Sequence, residues 1–407
     1  MINVLDKFYC SSEQVLEKSL LGYLRYYNNY KDVSMPVNMV QDTRQPTLIF
    51  VHTNTVHHVP MEEVQEIVTY YKKHKSNKII VDTCIEEFVD DKYYTLIDNL
   101  EALGVDPLNI IVFTGQNSIE NFITDYDIRH TCYSCQGFEL MYNIYIELLL
   151  DLKGTKHETP GLDFIYRPIT PRKLKKHFIS YKKNGRRLRK LFHAVMLDKG
   201  FVDKSYYSWH NTKEFLIHDI EFLKYFNYLD DSVTIDNFKE VSAKYEQKIM
   251  PNSIEGSLEW SFEDEVILHG GVNLPHETHV SLDFWQPGQL KTSDRIFFTE
   301  KTYKNFVYGM PFINLGIPRA ELVLQQMGYR GFDDLFGIQK DPHDYYKNVQ
   351  QSIELLDKIG NMPLQELEDI LNSNVAIDRL KHNQEVFREQ RQFKKLLVDL
   401  ESICDKY

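Results

Sequence analysis

The sequence has few cysteines, prolines and glycines, and it contains no long apolar run. Its 407 residues include 5 cysteines, 14 prolines and 18 glycines. An odd, sparse set of cysteines in a chain of this length is typical of a reducing compartment and argues against a disulfide-rich scaffold. No apolar run approaches the ~20 residues of a membrane span, and the first residues lack the basic and apolar segments of a signal peptide. We therefore predict a soluble, cytoplasmic protein with no membrane span.

Motifs for common cofactors are missing as well. No GxGxxG follows a strand-like run and no GxxxxGK[ST] occurs, which argues against a nicotinamide-dependent enzyme or a P-loop NTPase. Cys132 and Cys135 form a single CxxC, and no second pair completes a four-cysteine zinc site. His57 and His58 have no further ligand at metal spacing. We therefore expect no metal site.

Positive charge is concentrated in one segment. The net charge is −12, which argues against a protein that is basic over its whole surface. Residues 172–190 nevertheless hold ten Lys or Arg and no acidic residue. A strand-to-helix loop within this run suits a diphosphate, because backbone amides and Arg forks bind phosphate oxygens. Three interpretations stay open: a phosphate site for a small ligand, a nucleic-acid contact patch, and a solvated basic loop.

Apolar runs alternate with amphipathic segments in the first part of the chain. Strand-like runs occur at 47–51, 78–81 and 109–113, with helix-like segments at 60–71 and 92–103. This order predicts a parallel sheet with right-handed crossovers.

A second region of the same character follows the basic run. Its candidates are a strand at 177–181, a helix at 188–197, and strands at 258–268 and 277–283, with Gly270-Gly271 interpreted as a loop. We expect an α/β protein with an N-terminal Rossmann-like domain over 1–165 and a second over 172–343. Helices over 344–407 would pack back across the domains.

The stretch 296–316 has the pattern of a strand, a short helix and a second strand. Thr299 is the predicted N-cap, Glu300 begins the helix and Gly309 ends it. A helix N-terminus after a strand favours an anion, and Lys301 and Lys304 lie on neighbouring positions of the helix surface. A carboxylate beside lysines suits a ribose diol next to a diphosphate. The alternative is a solvated helix start with an ordinary ion pair.

Polar residues also follow the strands of the first region. His52 and Asp82 come at the ends of two predicted strands, where catalytic groups of parallel sheets gather. Either side chain suits a general base for an acceptor hydroxyl. The alternative for each is a polar loop residue or a helix cap.

Two stretches together resemble the second domain of a group of phage and bacterial glycosyltransferases. The first is KKHFISYKKNGRRLRKLFHAVMLDKGFVDKSYYSWH, with a strand, an Asn/Arg-rich loop and a helix. The second is FFTEKTYKNFVYGMPFINLGIPRAELVLQQMGYRGFDDLF, which resembles their nucleotide-sugar motif. A related Glu-Lys signature occurs in α1,3-fucosyltransferases, which have the GT-B fold of two facing Rossmann-like domains.

The resemblance implies a metal-independent glycosyltransferase that needs no cofactor and uses a nucleotide-sugar as co-substrate. Glu300 would bind the donor ribose, Lys301 the donor phosphates, and an Arg from 186–189 the leaving diphosphate. Before the motif, this chain reads HVSLDFW where such proteins often carry Glu-Thr or Glu-Asn. Asp283 is the candidate replacement, and the alternative is that this sugar contact is lost. The candidate donor-binding residues are Asn184, Arg186, Arg187, Arg189, Asp283, Thr299, Glu300, Lys301 and Lys304.

The acceptor stays open at this point between a hydroxymethylated base in phage DNA and a glycan. His52 and Asp82 are the candidate catalytic residues. The alternative hypothesis is of a different class: a non-catalytic protein that retains the fold and binds a nucleotide or a nucleic acid through the basic loop.

Overall fold

The computed structural model divides the chain into two compact units. One unit contains Met1–Leu149 and Gln390–Tyr407, and the other contains Leu150–Glu389. The structure describes residues 2–7, 19–30, 37–52, 59–84, 91–115, 123, 128–137, 139–140, 143, 169–182, 186–209, 215–230, 232–234, 236–246, 249, 264–275 and 298–405.

The first unit is built on a six-stranded sheet in which every neighbouring pair is parallel. Its strands are β1 (Ile2–Leu5), β2 (Val37–Val40), β3 (Leu48–His52), β4 (Lys78–Thr83), β5 (Ile110–Thr114) and β6 (Thr131–Ser134), in the order β2-β1-β3-β4-β5-β6. All residues of β3, β4 and β5 are buried, as their continuous apolar runs require when helices cover both faces of a sheet. The predicted parallel sheet is confirmed.

Four helices of the first unit are described. They are α1 (Leu20–Tyr30), α2 (Met61–Tyr71), α3 (Asp91–Ala102) and α13 (Arg391–Asp405). On α2 the buried residues are Val64, Ile67 and Val68, the spacing that places one apolar face against the sheet. The predicted helices at 60–71 and 92–103 are therefore confirmed to within one residue at each end.

The second unit contains a three-stranded parallel sheet. Its strands are β7 (Lys176–Lys182), β8 (Ser205–Trp209) and β9 (Gly270–Asn273), in the order β8-β7-β9. Helix α4 (Arg187–Asp198) follows β7 and buries Leu191, Phe192 and Val195 completely. The strand and helix predicted from the basic run are confirmed.

The predicted strand at 258–268 is wrong where the structure describes it. Asp264–His269 forms helix α7, and the strand is the next four residues, including Gly270 and Gly271. Glycine is needed in this strand because the backbone of β7 lies too close for a Cβ. A Cβ on Gly271 would lie 2.3 Å from the His177 carbonyl oxygen. The predicted strand at 277–283 lies outside the described residues.

The C-terminal region is helical, as predicted. The remaining helices of the second unit are α5 (Ile217–Tyr225), α6 (Phe238–Ala243), α8 (Glu300–Tyr308), α9 (Ala320–Gln326), α10 (Tyr345–Asn361), α11 (Leu364–Leu371) and α12 (Asn374–Arg388). Among the described segments, no helix has both the length and the apolar character needed to cross a membrane.

We expect Gly271→Ala to lower the free energy of unfolding by about 1–3 kcal/mol, the usual cost of overpacking. The comparison variant is Gly200→Ala, because its Cβ would meet nothing within 4 Å although its φ is +68°. That left-handed conformation alone costs about 1–2 kcal/mol. Urea denaturation followed by circular dichroism measures both. An unchanged urea midpoint in Gly271→Ala would contradict the close β7–β9 approach.

Candidate functional site

His52 and Asp82 are neighbours in the first unit. They are paired in register across β3 and β4, and His52 Nδ1 is 3.3 Å from Asp82 Oδ2. Each residue is only 1% exposed. The expectation that polar groups meet at the carboxyl ends of these strands is therefore met. Their role as a general base stays a prediction.

The Asp82 carboxylate also accepts two backbone hydrogen bonds. Oδ2 accepts from Leu20 N at 2.7 Å, at the start of α1, and Oδ1 accepts from Cys84 N at 3.0 Å. Burial alone would raise the pKa of Asp82. The hydrogen bond and charge of His52 and the two amides outweigh it and lower this pKa. The carboxylate is thus a charged anchor for the α1 N-terminus.

The two thiols of the CxxC have different surroundings. Burial, followed by the neighbouring thiol of the buried Cys135, raises the pKa of Cys84. Cys132 instead donates to the His130 carbonyl at 3.4 Å, and burial raises its pKa to about 12. Sequence spacing missed the Cys84 contact because it joins residues far apart in the chain.

Helix α8 begins and ends as predicted. Its N-cap Thr299 accepts from Lys301 N at 3.3 Å, and its C-cap Gly309 has a φ of +58°. Lys301 Nζ lies 3.1 Å from Thr299 Oγ1, which holds this ammonium group beside the helix N-terminus. Glu300 is the first residue of the helix, and its side chain lies outside what the structure describes.

Two buried amides fix the first turn of α8 to the carboxyl end of β9. Asn273 Nδ2 donates to Asn305 Oδ1 at 2.6 Å. Asn305 Nδ2 in turn donates to the carbonyls of Lys301 at 2.8 Å and Thr302 at 3.0 Å. Neither asparagine was identified from the sequence, because the contact spans 32 residues.

The apolar run after α8 returns to the same edge of the sheet. It forms a single parallel bridge between Phe312 and Asn273 rather than the predicted strand. Ile313 N donates to Asn273 O at 2.9 Å, and Asn314 lies two residues beyond the Phe312 that pairs with the end of β9. Asn314 is fully buried, and its Oδ1 lies 3.5 Å from Thr302 Oγ1.

The first turn of α4 is held by an acidic residue on α5. Lys190 Nζ donates to Asp219 Oδ2 at 2.5 Å, and Arg187 Nε is 3.9 Å from Asp219 Oδ1. Arg186 is the half-buried N-cap of this helix, and Arg189 is 5% exposed. These cations do not form an open basic surface.

Other cations of the basic run have acidic partners as well. Lys173 Nζ lies 3.4 Å from a Glu368 oxygen, and Lys175 Nζ lies 2.9 Å from a Glu265 oxygen. Both pairs are partly exposed and contribute little stability. They do reduce the positive charge that the run offers to a polyanion.

The remaining candidate residues are placed as follows. Lys304 lies on the buried side of α8 and is 5% exposed. Asn184 and Asp283 lie outside the described residues, so their donor-binding roles stay predictions.

A second cluster of ionisable groups was not found from the sequence. Lys340 Nζ lies 2.7 Å from Asp333 Oδ2, and the Asp333 carboxylate neighbours that of Glu321. Burial, followed by the Asp333 charge, raises the pKa of Glu321 from 4.5 to about 8. This shift favours the protonated form of Glu321. It lines a cavity of about 530 Å³ together with Arg330 and Arg379.

Among the described residues, no three His, Cys, Asp or Glu side chains come together as metal ligands. Comparison with known protein families gives no match, and no curated protein is recognisably similar to this chain.

We expect Asp82→Asn to lower the free energy of unfolding by about 1–3 kcal/mol at neutral pH, because it weakens buried charge-assisted hydrogen bonds. The stabilisation by Asp82 is lost as pH falls through its lowered pKa, so the difference from wild type should shrink below about pH 4. Asp98→Asn on the exposed face of α3 is the matched control. Urea titrations at several pH values make the comparison, and equal stability of both variants at pH 7 would contradict the anchoring role.

We expect Glu321→Gln to flatten the pH dependence of stability. The folded protein binds a proton at Glu321 more tightly than the unfolded chain, so this contribution is complete below about pH 4.5 and disappears as pH rises through about 8. The wild type should lose up to about 5 kcal/mol across this window relative to the variant, because a tenfold change in proton affinity is worth about 1.4 kcal/mol. Urea midpoints measured between about pH 5 and pH 9 test the expected loss of stability. Glu385→Gln, an exposed site on α12, should leave the wild-type slope unchanged.

Proposed function

We propose that this protein is a metal-independent glycosyltransferase that transfers a sugar from a nucleotide-sugar to an acceptor hydroxyl. We further propose that its units are two facing Rossmann-like domains of the GT-B type. The parallel sheets of both units and the helical C-terminal region are compatible with that architecture.

One observation carries the proposal. The N-terminus of α8 lies at the carboxyl end of β9, tied there by the Asn273–Asn305 pair. Ligands of open α/β sheets bind at the carboxyl ends of strands, and helix N-termini favour phosphates. Lys301 places a cation at the same point. This arrangement suits the diphosphate of a sugar nucleotide.

In this proposal Glu300 takes the ribose diol and Lys301 the donor phosphates. Thr299 fixes the ammonium group of Lys301 and caps the helix. Arg186 and Arg187, at the start of α4, are the cations assigned to the leaving diphosphate. His52 or Asp82 in the first unit would accept the proton of the acceptor hydroxyl. The acceptor is a hydroxymethylated base in DNA or a glycan.

The burial of the first-unit pair favours a second function. His52 and Asp82 are each 1% exposed, and Asp82 already accepts hydrogen bonds from two backbone amides. The Asp82 carboxylate, whose two oxygens already have partners, is a poor base for an external hydroxyl. The alternative function is therefore a non-catalytic protein that binds a nucleotide or a nucleic acid.

We expect Lys301→Ala to weaken the binding of a nucleotide-sugar about tenfold or more, because charge-assisted hydrogen bonds to phosphate are lost. A panel of nucleotide-sugars screened by thermal shift selects the donor, and calorimetry measures its affinity. Lys381→Ala, exposed on α12, is the matched control and should bind as wild type.

Two outcomes separate the alternatives. Slow donor hydrolysis without acceptor supports a transferase and excludes a protein that only binds. Unchanged donor affinity in Lys301→Ala would show that the donor binds elsewhere.

A further inference from the structure

One buried amide at the carboxyl edge of the second-unit sheet has no hydrogen-bond acceptor within the part of the chain that the structure describes. Asn314 is fully buried, and its Nδ2 has no partner among the described residues. Two other polar atoms of this residue are engaged. Its Oδ1 faces Thr302 Oγ1, and its backbone carbonyl accepts from Lys340 Nζ. A buried donor without a partner is costly, so native proteins rarely keep one without a reason.

The position of this amide is set by the sheet. Asn314 follows Ile313, whose N–H donates to Asn273 O at the end of β9. Its carboxamide contacts Thr302, the third residue of α8 and part of its first turn. The unpartnered N–H group therefore lies at the N-terminal end of a nine-residue helix. Two independent features, a helix N-terminus and an unpaired amide donor, occur at one place.

The neighbouring amides show that the arrangement is specific. Asn305 uses both its oxygen and its nitrogen, with Asn273, Lys301 and Thr302 as partners. Asn314 lies on the adjacent chain segment, and its Nδ2 donates to none of the described residues. At this edge the Asn305 amide stabilises the fold through its hydrogen bonds. The Asn314 Nδ2 group makes no such contribution among the described residues.

We propose that Asn314 Nδ2 is a ligand-binding group that donates to a phosphoryl oxygen of a nucleotide. The N–H group requires an acceptor, and the α8 N-terminus and the Lys301 ammonium both favour an anionic one. Because the amide is buried, the oxygen that it binds is enclosed and desolvated, which strengthens the hydrogen bond. This inference rests on the proposed function for the identity of the nucleotide, but not for the anion site itself.

The test compares stability with affinity in the same variants. Asn314→Leu keeps the approximate shape and removes the unpaired donor. We expect its urea midpoint to equal or exceed that of the wild type, because removal of a ligand-binding group often stabilises the free protein. We also expect binding of the probes to weaken about tenfold to a hundredfold. The probes are inorganic pyrophosphate and the diphosphates of uridine, guanosine, adenosine and cytidine, titrated by calorimetry.

Two further variants keep the result interpretable. Asn314→Ser is small enough to fold if leucine is not accommodated, and it does not reach the ligand, so it should lose the same affinity. Asn305→Leu removes satisfied hydrogen bonds and should lower the urea midpoint. The opposite signs of the stability changes at 305 and 314 distinguish a ligand group from a structural one.

The proposal is overturned if Asn314→Leu or Asn314→Ser binds the probes as tightly as the wild type, or if the wild type binds none of them below about 1 mM. It is also overturned if both Asn314 variants are strongly destabilised, because the amide would then be structural. Failure here and failure of the proposed function remain distinct. Pyrophosphate binding that depends on Asn314 without any sugar-nucleotide hydrolysis or transfer would reject the transferase and keep the anion site.

Discussion

The close parallel pairing of β9 with β7 is the constraint on which the second unit depends. It requires glycine at 271, where a Cβ would meet the His177 carbonyl at 2.3 Å. The pairing places Asn273 at the carboxyl end of the sheet, and Asn273 then fixes both α8 and the run that contains Phe312. A backbone approach of this kind positions side chains more rigidly than a surface loop does, because ladder hydrogen bonds on both strands oppose any shift.

The two candidate regions differ in how their polar groups are satisfied. In the first unit, Asp82 is enclosed by a histidine and two amides, so its charge already has partners. In the second unit, Thr299 and Lys301 lie together at a helix N-terminus, and Asn314 Nδ2 has no partner among the described residues. Satisfied polar groups favour a structural role, whereas unsatisfied ones favour binding. This contrast is why the donor side of the proposed reaction has more support than the acceptor side.

Sequence reasoning predicted the elements whose signals are local. The cap at Thr299, the stop at Gly309 and the apolar face of α2 were read correctly, because each depends on residues within a few positions. It failed at β9, since paired glycines resemble a loop when the strand they approach is unknown. The four-residue strands β1 and β6 are too short to show a period. Contacts such as Asn273–Asn305 and Glu321–Asp333 join separate elements, so spacing alone does not reveal them.

The last helix of the chain has a consequence for synthesis. α13 packs against β1 and buries Phe393, Leu396, Leu400 and Ile403, although these residues are made after the whole second unit. During synthesis, part of the apolar surface of the first sheet stays uncovered until α13 is made. More than two hundred intervening residues (Leu150–Glu389) are translated in that time. At about 5–20 residues per second, that interval lasts on the order of tens of seconds. During this interval the nascent first unit is exposed to chaperones and to aggregation.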